Sequence, residues 1–555
     1  EALRQYMTTK NTNVSLSGIK RWFGPIWSVV SGALILLPGL IATFLILRAF
    51  FRGNTADIDF AIGLLIIFVP TLLLRLPGYR PAPRRHIRKW RMLLLIVPIV
   101  AIFPLSIVVL IFGTIDMASY VFHLIYGTGG TPWGDLMPYI LTGATFWAVF
   151  VATIYRIQPW LERIPYATTL LGAAIIALNP LVNELAMGRA MVLVSPQESL
   201  VDRFADPVLL PETATPNIVI VYVEGLERTY AEAPFGQAYA PMAQLAEQAV
   251  SFTDVSQMTA TGWSLAGTTA TQCGTPLLLG GATRIQDIDT DARILPGVTC
   301  LSDIATAKGY DIWYLSGTEL LGESESYYGY GNFFKTHGGA QIIDRAGLAD
   351  ILGTDIPEDE AQGWGFRDQT VLESALAKFR QLHAAQEPFV LNVATMDTHG
   401  PQAFMSPACR TNGCPMSSDN LLDAVTCSST LVADFVSEIR ALDPAGGYRN
   451  DVKSAHLAHL THLNDTLERF DRRNTVMFLD ETRAGEIVDA PGTMVDVFPT
   501  LLDWLDWLDP DVPDAGLGVS LFADKPSLRA ELGEDDLNER LKLDVELGRH
   551  IWRQE

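Results

Sequence analysis

The chain has 555 residues, 49% of them hydrophobic and 18% charged, with a formal net charge of −22 and a mean hydropathy of +0.21. That much apolar side chain excludes a disordered polymer, and the acidic excess argues against a nucleic-acid partner, whose phosphates need Lys/Arg surfaces. Five cysteines are too few for a disulfide scaffold and show no CxxC zinc spacing.

The first third is dominated by long apolar runs. A hydrocarbon core of ~30 Å demands about 20 helical residues, and runs of that length fall at about 26–50, 58–77, 92–114, 139–157 and 166–187. A buried core helix rarely runs so long without a charge, and a signal peptide would not be followed by further spans. The loop after the second span carries Arg75, Arg80, Arg84, Arg85, Arg88, Lys89 and Arg91, and residues 1–24 carry Arg4, Lys10, Lys20 and Arg21. Both segments are therefore predicted to be cytoplasmic, and five spans then put everything after about residue 190 outside. Segment 115–138 reads as an interfacial stretch or an ordinary loop, and Trp133, Trp147 and Trp160 suit an interfacial belt.

After a linker at 190–215 the pattern changes. Short β-branched runs appear at 217–225, 310–317, 388–400 and 474–481, with amphipathic stretches such as MAQLAEQAV and VLESALAKFRQL between them. Apolar strands alternating with helices predict a parallel sheet covered on both faces. In such sheets the polar residues just past the strand ends line the ligand crevice. That rule selects Glu224, Ser316, Asp397, Thr398 and His399. The charged tail 527–555 reads as a solvated amphipathic helix.

Two motifs, NIVIVYVEGLERTY (217–230) and TGWSLAGTTATQCGTPL (261–277), are joined by CLSDI, GNFFKTHG, WGFRD, DTHGP and AVTC. Together they resemble the membrane phosphoglycerol transferases that decorate periplasmic glucans. These sit in the alkaline-phosphatase/sulfatase-like superfamily with lipoteichoic acid synthases and phosphoethanolamine transferases. The resemblance covers about 215–505. It implies a five-span α-helical transmembrane domain (1–189), a linker (190–215), an α/β sulfatase-like extracytoplasmic domain (216–526) and a C-terminal helix (527–555).

The resemblance also implies a chemistry. A divalent metal ion (Mn, Mg or Zn) would activate a hydroxyl at Ser264 for attack on phosphorus. Its ligands would be Glu224, Ser264 and a late Asp-His pair. Here that pair is Ala455 and His456, so one carboxylate is missing and the chain as given is expected to hold its metal weakly and to be inactive or impaired. The preceding YRNDVK does not read as the apolar buried strand that the family has there. Asp480 and Glu481 would supply carboxylates only in another register, and Asp480 reads better as a strand-end acid. His459 and His462 recur at three-residue intervals from His456; either is a possible substitute ligand, but solvated helix histidines are the preferred reading.

His399 would contact the transferred phosphate and donate a proton. Glu319, Asn332, Lys335 and His337 are weaker candidates for the glycerol phosphate. The family pattern pairs Cys273 with Cys300 and Cys409 with Cys427, with Cys409–Cys414 as the local alternative. The implied partners are phosphatidylglycerol in the membrane and a periplasmic glucan acceptor. The implied place is the bacterial inner membrane, multi-pass, with the catalytic domain in the periplasm. A phosphoethanolamine transferase acting on lipid A or glycan is one alternative; a catalytically inactive glucan-binding homologue, suggested by Ala455, is another.

Overall fold

The structure is a computed structural model. It describes residues 198–553 except 212–214, 279–292, 321–328, 358–359, 401–402, 412–413, 415–418, 444–445 and 460, together with positions 137, 140, 141, 144 and 173. The five spans and segment 115–138 lie outside the described residues, those isolated positions apart. Among the described residues no helix is long and apolar enough to cross a membrane.

Eight strands form the main sheet: β1 (Asn217–Val223), β2 (Ala249–Phe252), β3 (Asp311–Ser316), β4 (Gln341–Ile343), β5 (Phe389–Ala394), β6 (Tyr448–Ser454), β7 (Val476–Leu479) and β8 (Ile487–Val488). Their spatial order is β8-β2-β7-β6-β1-β5-β3-β4. The alternation of strands and helices predicts a parallel sheet, but the sheet is mixed. Strand β7 runs antiparallel to β6 and β2, while β1 is parallel to β5 and β6. After β6 the chain stays at that strand's C-terminal end and returns directly along β7, a connection that needs no crossover helix.

Alternate residues of β1 serve opposite faces, as the two-residue strand period requires. Val219, Val221 and Val223 meet helices α1 (Ala240–Ala246), α5 (Asp368–Ala385) and α6 (Asn420–Leu442). Ile218, Ile220 and Tyr222 meet α2 (Ser264–Cys273), α3 (Leu301–Ala307), α4 (Tyr330–Thr336) and α7 (Val497–Trp504). The stretch VLESALAKFRQL falls inside α5, whereas MAQLAEQAV divides: α1 ends at Ala246 and Ala249 already belongs to β2. Disulfides join Cys273 to Cys300 and Cys409 to Cys427, and Cys414 is a free thiol.

The tail differs from a single solvated helix. It breaks into Leu528–Leu532, Glu534–Leu543 and Val545–Ile551, and Leu528, Leu537, Leu541, Leu547 and Ile551 are buried in the core. Its charges occupy the outer side of an element whose leucines close the sheet's helical layer.

Hydropathy also hides β6. YRNDVKS is a central strand between β1 and β7, with Asn450, Asp451 and Lys453 buried. The two charges are tolerated there because Lys453 Nζ lies 2.5 Å from Asp451 Oδ2 and 5.1 Å from the Tyr222 ring centroid; the Asn450 side-chain amide has no hydrogen-bond partner among the described residues. Burial pushes the Asp451 carboxyl up and the Lys453 ammonium down, and each partner opposes that shift in the other. Removing one member of such a pair leaves an uncompensated buried charge, whereas an apolar replacement of both can be neutral. Lys453→Met alone should therefore cost about 3–5 kcal/mol. The double change Lys453→Met with Asp451→Leu should recover most of that loss, as read by thermal unfolding of the three proteins.

Candidate functional site

Three adjacent parallel strands end at the same edge of the sheet. Strand β1 delivers Glu224, β5 delivers Asp397, Thr398 and His399, and β6 delivers Ala455 and His456. The N-terminus of α2 brings Ser264 to that edge. The crevice lies where the strand-end rule expects it, but the five residues chosen by that rule divide. Glu224 and His399 face each other, with His399 Nε2 4.0 Å from Glu224 Oε1. Thr398 Oγ1 donates to the Glu224 carbonyl. Ser316 accepts from the Thr318 amide. Asp397 faces Asp368 across the turn, accepting from the Asp368 amide at 3.2 Å and from Ser406 Oγ at 2.6 Å.

Two glycines permit the convergence. Gly225 adopts φ +55°, so the chain turns sharply straight after Glu224. At Gly267 an added methyl group would lie 1.7 Å from the Ala455 carbonyl oxygen. Without a side chain there, α2 rests directly on the end of β6, and Ser264, one turn earlier, reaches His456. The loop after β6 is pinned at several points. The Ala455 amide donates to the Val223 carbonyl at 3.0 Å, Leu457 to Gln257 Oε1 at 2.7 Å and Ala458 to Glu227 Oε1 at 3.2 Å. Arg472 closes the clamp with a guanidinium bond to Glu227 Oε2 at 2.9 Å and another to the Ala458 carbonyl at 2.9 Å. The second acid of the EGLERTY motif is thus a holder of the histidine loop.

Ser264 Oγ donates to Glu224 Oε2 at 3.1 Å and lies 3.4 Å from His456 Nε2. His456 Nε2 is 2.7 Å from Glu224 Oε1. Each histidine commits its other nitrogen to a carbonyl: His456 Nδ1 to Leu457 at 2.6 Å and His399 Nδ1 to Gly400 at 2.7 Å. Such bonds fix the N–H on Nδ1 and leave the Nε2 lone pair facing the site. Glu224 Oε1 is buried, and its nearest polar neighbour is His456 Nε2. A carboxylate oxygen and an imidazole lone pair at 2.7 Å repel unless a proton or a cation lies between them. Burial raises the Glu224 carboxyl, but His456, His399 and Ser264 together bring it below the usual carboxylate range. Burial works against a proton on His456, yet the Glu224 charge outweighs it and raises that imidazole. For His399 burial wins, and its imidazole is lowered. A buried carboxylate whose oxygens face a serine hydroxyl and imidazole nitrogens fits a divalent cation in the place of the shared proton.

Several residues differ from their sequence reading. His459 is not on a helix, and its ring centroid is 4.1 Å from that of His456 and 5.5 Å from that of His399. His462 is elsewhere, with Nε2 2.5 Å from Asp419 Oδ2. His337 is fully buried, with Nδ1 2.6 Å from Asp303 Oδ2 and Nε2 2.7 Å from the Ile294 carbonyl, so neither nitrogen is left for a substrate. Glu319 and Lys335 are exposed and Asn332 is half-buried. Asp480 caps the turn at Glu481–Arg483 and accepts from Trp504 Nε1 at 3.0 Å, as a strand-end acid would.

Two aromatic residues were not singled out from the sequence. Trp364 of the WGFRD motif lies 4.2 Å, ring to ring, from His399. Burial raises the Tyr330 hydroxyl, on which Thr268, Glu224 and Ser264 also act. The tryptophan's place inside a short motif with glycine was the available signal; for Tyr330 there was none.

The sulfatase family profile matches residues 216–507. Phosphoglycerol transferase I of Xanthomonas campestris pv. campestris (strain B100) is 32% identical over 314 residues, 55% of this chain and 43% of that protein. Phosphoglycerol transferase I of Citrobacter koseri is 30% identical over 305 residues, 52% of this chain and 37% of that protein. The chain thus spans less than half the length of these curated relatives. Among solved structures, the lipoteichoic acid synthase LtaP from Listeria monocytogenes is 12% identical, with 66% of this chain and 97% of that one covered and a TM-score of 0.46.

The packing of Gly267 on Ala455 yields a direct expectation. Gly267→Ala should force α2 off the end of β6 and destabilise by about 1–3 kcal/mol. A ~1 Å shift of the Ser264 hydroxyl would also break its contacts with Glu224 and His456, and a misplacement of that size in a reacting group costs on the order of 100-fold in reactivity. Thermal unfolding together with labelling of Ser264 by an electrophilic phosphonate should show both losses.

Proposed function

The chain belongs to the sulfatase family, and from that premise we propose that it transfers phosphoglycerol from phosphatidylglycerol to a hydroxyl of a periplasmic glucan, through a phosphoglyceryl-Ser264 intermediate. The observation that carries this reading is Ser264 at the N-terminus of a ten-residue helix, hydrogen-bonded to a buried carboxylate and beside the His456 imidazole. A helix N-terminus favours negative charge, as on an ionised serine or a phosphate. The similarity to proteins named phosphoglycerol transferase I supports the choice of transferred group.

Glu224, Ser264 and His456 would hold the divalent ion, which when bound lowers the serine pKa and offsets charge on the phosphoryl oxygens. Ser264 gives its proton to the Glu224 carboxylate, 3.1 Å away, and its oxygen attacks phosphorus. The Oγ–P bond forms as the bond from phosphorus to the diacylglycerol oxygen breaks. That oxygen takes a proton from His399, whose pKa an incoming phosphate would raise. The same histidine then removes the proton of the acceptor hydroxyl, whose oxygen attacks phosphorus as the Oγ–P bond breaks, and the proton held by Glu224 returns to Ser264.

A lipid donor accounts for the apolar first third. With residues 1–189 in the bacterial inner membrane, the scissile phosphate lies at headgroup level and the acyl chains never leave the bilayer. In this reading the linker is 190–215, the catalytic domain 216–526 is periplasmic, and 527–555 closes it. A net charge of −22 leaves nucleic acid out of the partner set.

Ala455 favours a second reading, an inactive glucan-binding homologue, because alanine offers no ligand at the end of β6. Incubation with headgroup-labelled phosphatidylglycerol and peptide mass spectrometry separates the two. The transferase reading expects a glycerophosphate adduct on Ser264 and its loss in Ser264→Ala. An adduct on another residue would remove Ser264 from its role. An adduct seen only in Ala455→Asp would favour the inactive homologue. For topology, reporter fusions at residues 85 and 200 should give opposite signals, cytoplasmic and periplasmic; equal signals would mean a miscounted span.

A further inference from the structure

The loop after β6 carries a third imidazole into the site. The ligand-capable atoms of Glu224, His399 and His459 all lie within 4.8 Å of one another. His459 follows directly on Ala458, whose amide and carbonyl are both held by the Glu227–Arg472 clamp. Its place beside His456 is therefore set by the fold. His462, three residues on, is bound to Asp419 and takes no part.

We propose that the cation centre of this chain is nitrogen-rich, with His459 supplying the donor that Ala455 lacks, and that it is thereby adapted to a zinc-class ion rather than to manganese or magnesium. The inference rests on the reading of Glu224, Ser264 and His456 as a cation site and specifies its metal. The argument is one of donor chemistry. Carboxylate, carbonyl and water oxygens suit Mg²⁺ and Mn²⁺, whereas imidazole suits Zn²⁺, Cu²⁺ and Ni²⁺. Alanine at 455 removes an anionic oxygen, and with it much of the Coulomb attraction on which a hard ion depends. A neutral imidazole restores a donor without restoring the charge. That exchange favours ions which form strong bonds to nitrogen, and Zn²⁺ is commonly held by two or three histidines and one carboxylate. The buried Glu224 carboxylate, 2.7 Å from His456 Nε2, is the anionic member such a set requires.

The test uses the full chain in detergent, stripped with a chelator, and measures Zn²⁺ and Mn²⁺ affinity by competition with a chromophoric chelator. Zinc outcompetes manganese at most sites, so the ratio in the unaltered chain is not the readout. The readout is what each substitution does to it. His459→Ala should weaken Zn²⁺ on the order of 10–100-fold, at least the loss seen when a ligand's supporting partner is removed, and Mn²⁺ by less than about 3-fold, since the lost donor is nitrogen. His459→Gln, which preserves bulk, should do the same, and His462→Ala should do neither. In Co²⁺-loaded protein the visible absorption bands should shift with His459→Ala. Unchanged Zn²⁺ affinity and an unchanged Co²⁺ spectrum in both His459 variants would overturn the inference. If Glu224→Gln abolishes binding while the His459 variants do not, the cation site stands and the role of His459 falls. If Glu224→Gln is also without effect, both readings fall.

Discussion

The Glu224 carboxylate is the constraint on which the rest of the site depends. It sits at the end of a central strand, with one oxygen hydrogen-bonded by Ser264 and the other 2.7 Å from His456 Nε2. A buried carboxylate without compensation is costly, and the usual remedies are a partner charge, hydrogen bonds or a metal. Here strand β6 brings His456, β5 brings His399 and helix α2 brings Ser264 to the same point. The sheet order β6-β1-β5 is what makes that possible, since only neighbouring parallel strands end side by side.

Holding these groups requires a second layer of buried polar contacts. Glu227 and Arg472 fix the loop of His456 and His459. Asp368 accepts from the Met396 and Asp397 amides at 2.6 and 2.9 Å and from Ser428 Oγ at 2.6 Å, so the turn before His399 is shaped from below. Burial, reinforced by the neighbouring Asp368, keeps the Asp397 carboxyl well above the usual range. The turn is thereby held with less charge than two ionised carboxylates would carry. Under α2, Gln272 donates to Tyr222 and to Asn392 at 2.8 and 3.0 Å. These contacts hold the turn and α2 in one geometry in place of several, with Asp397 Oδ1 the buried oxygen they leave without a partner. The site groups are held by strand ends, by a glycine-seated helix and, for the loop after β6, by the Glu227–Arg472 contacts.

The sequence by itself determined the α/β pattern, the ends of β1, β3 and β5, and the two motifs that bring Glu224 and Ser264 together. Those features are local: β-branched runs, a glycine after an acid, and a small-residue helix behind GWS. It misjudged whatever depended on a partner distant in the chain. Strand β6 looked too polar because the Lys453–Asp451 pair and the Tyr222 ring that make its burial tolerable are visible only in space. The tail looked solvated because its leucines are spaced across three short helices and not along one. His337 looked like a substrate contact until Asp303 and the Ile294 carbonyl took both its nitrogens. His459 looked like a surface histidine because the reading assumed a helix at 456–462. The tertiary clamp from Glu227 and Arg472 holds that segment in another course, and only the folded chain decides which histidine of HLAHLTH faces the carboxylate.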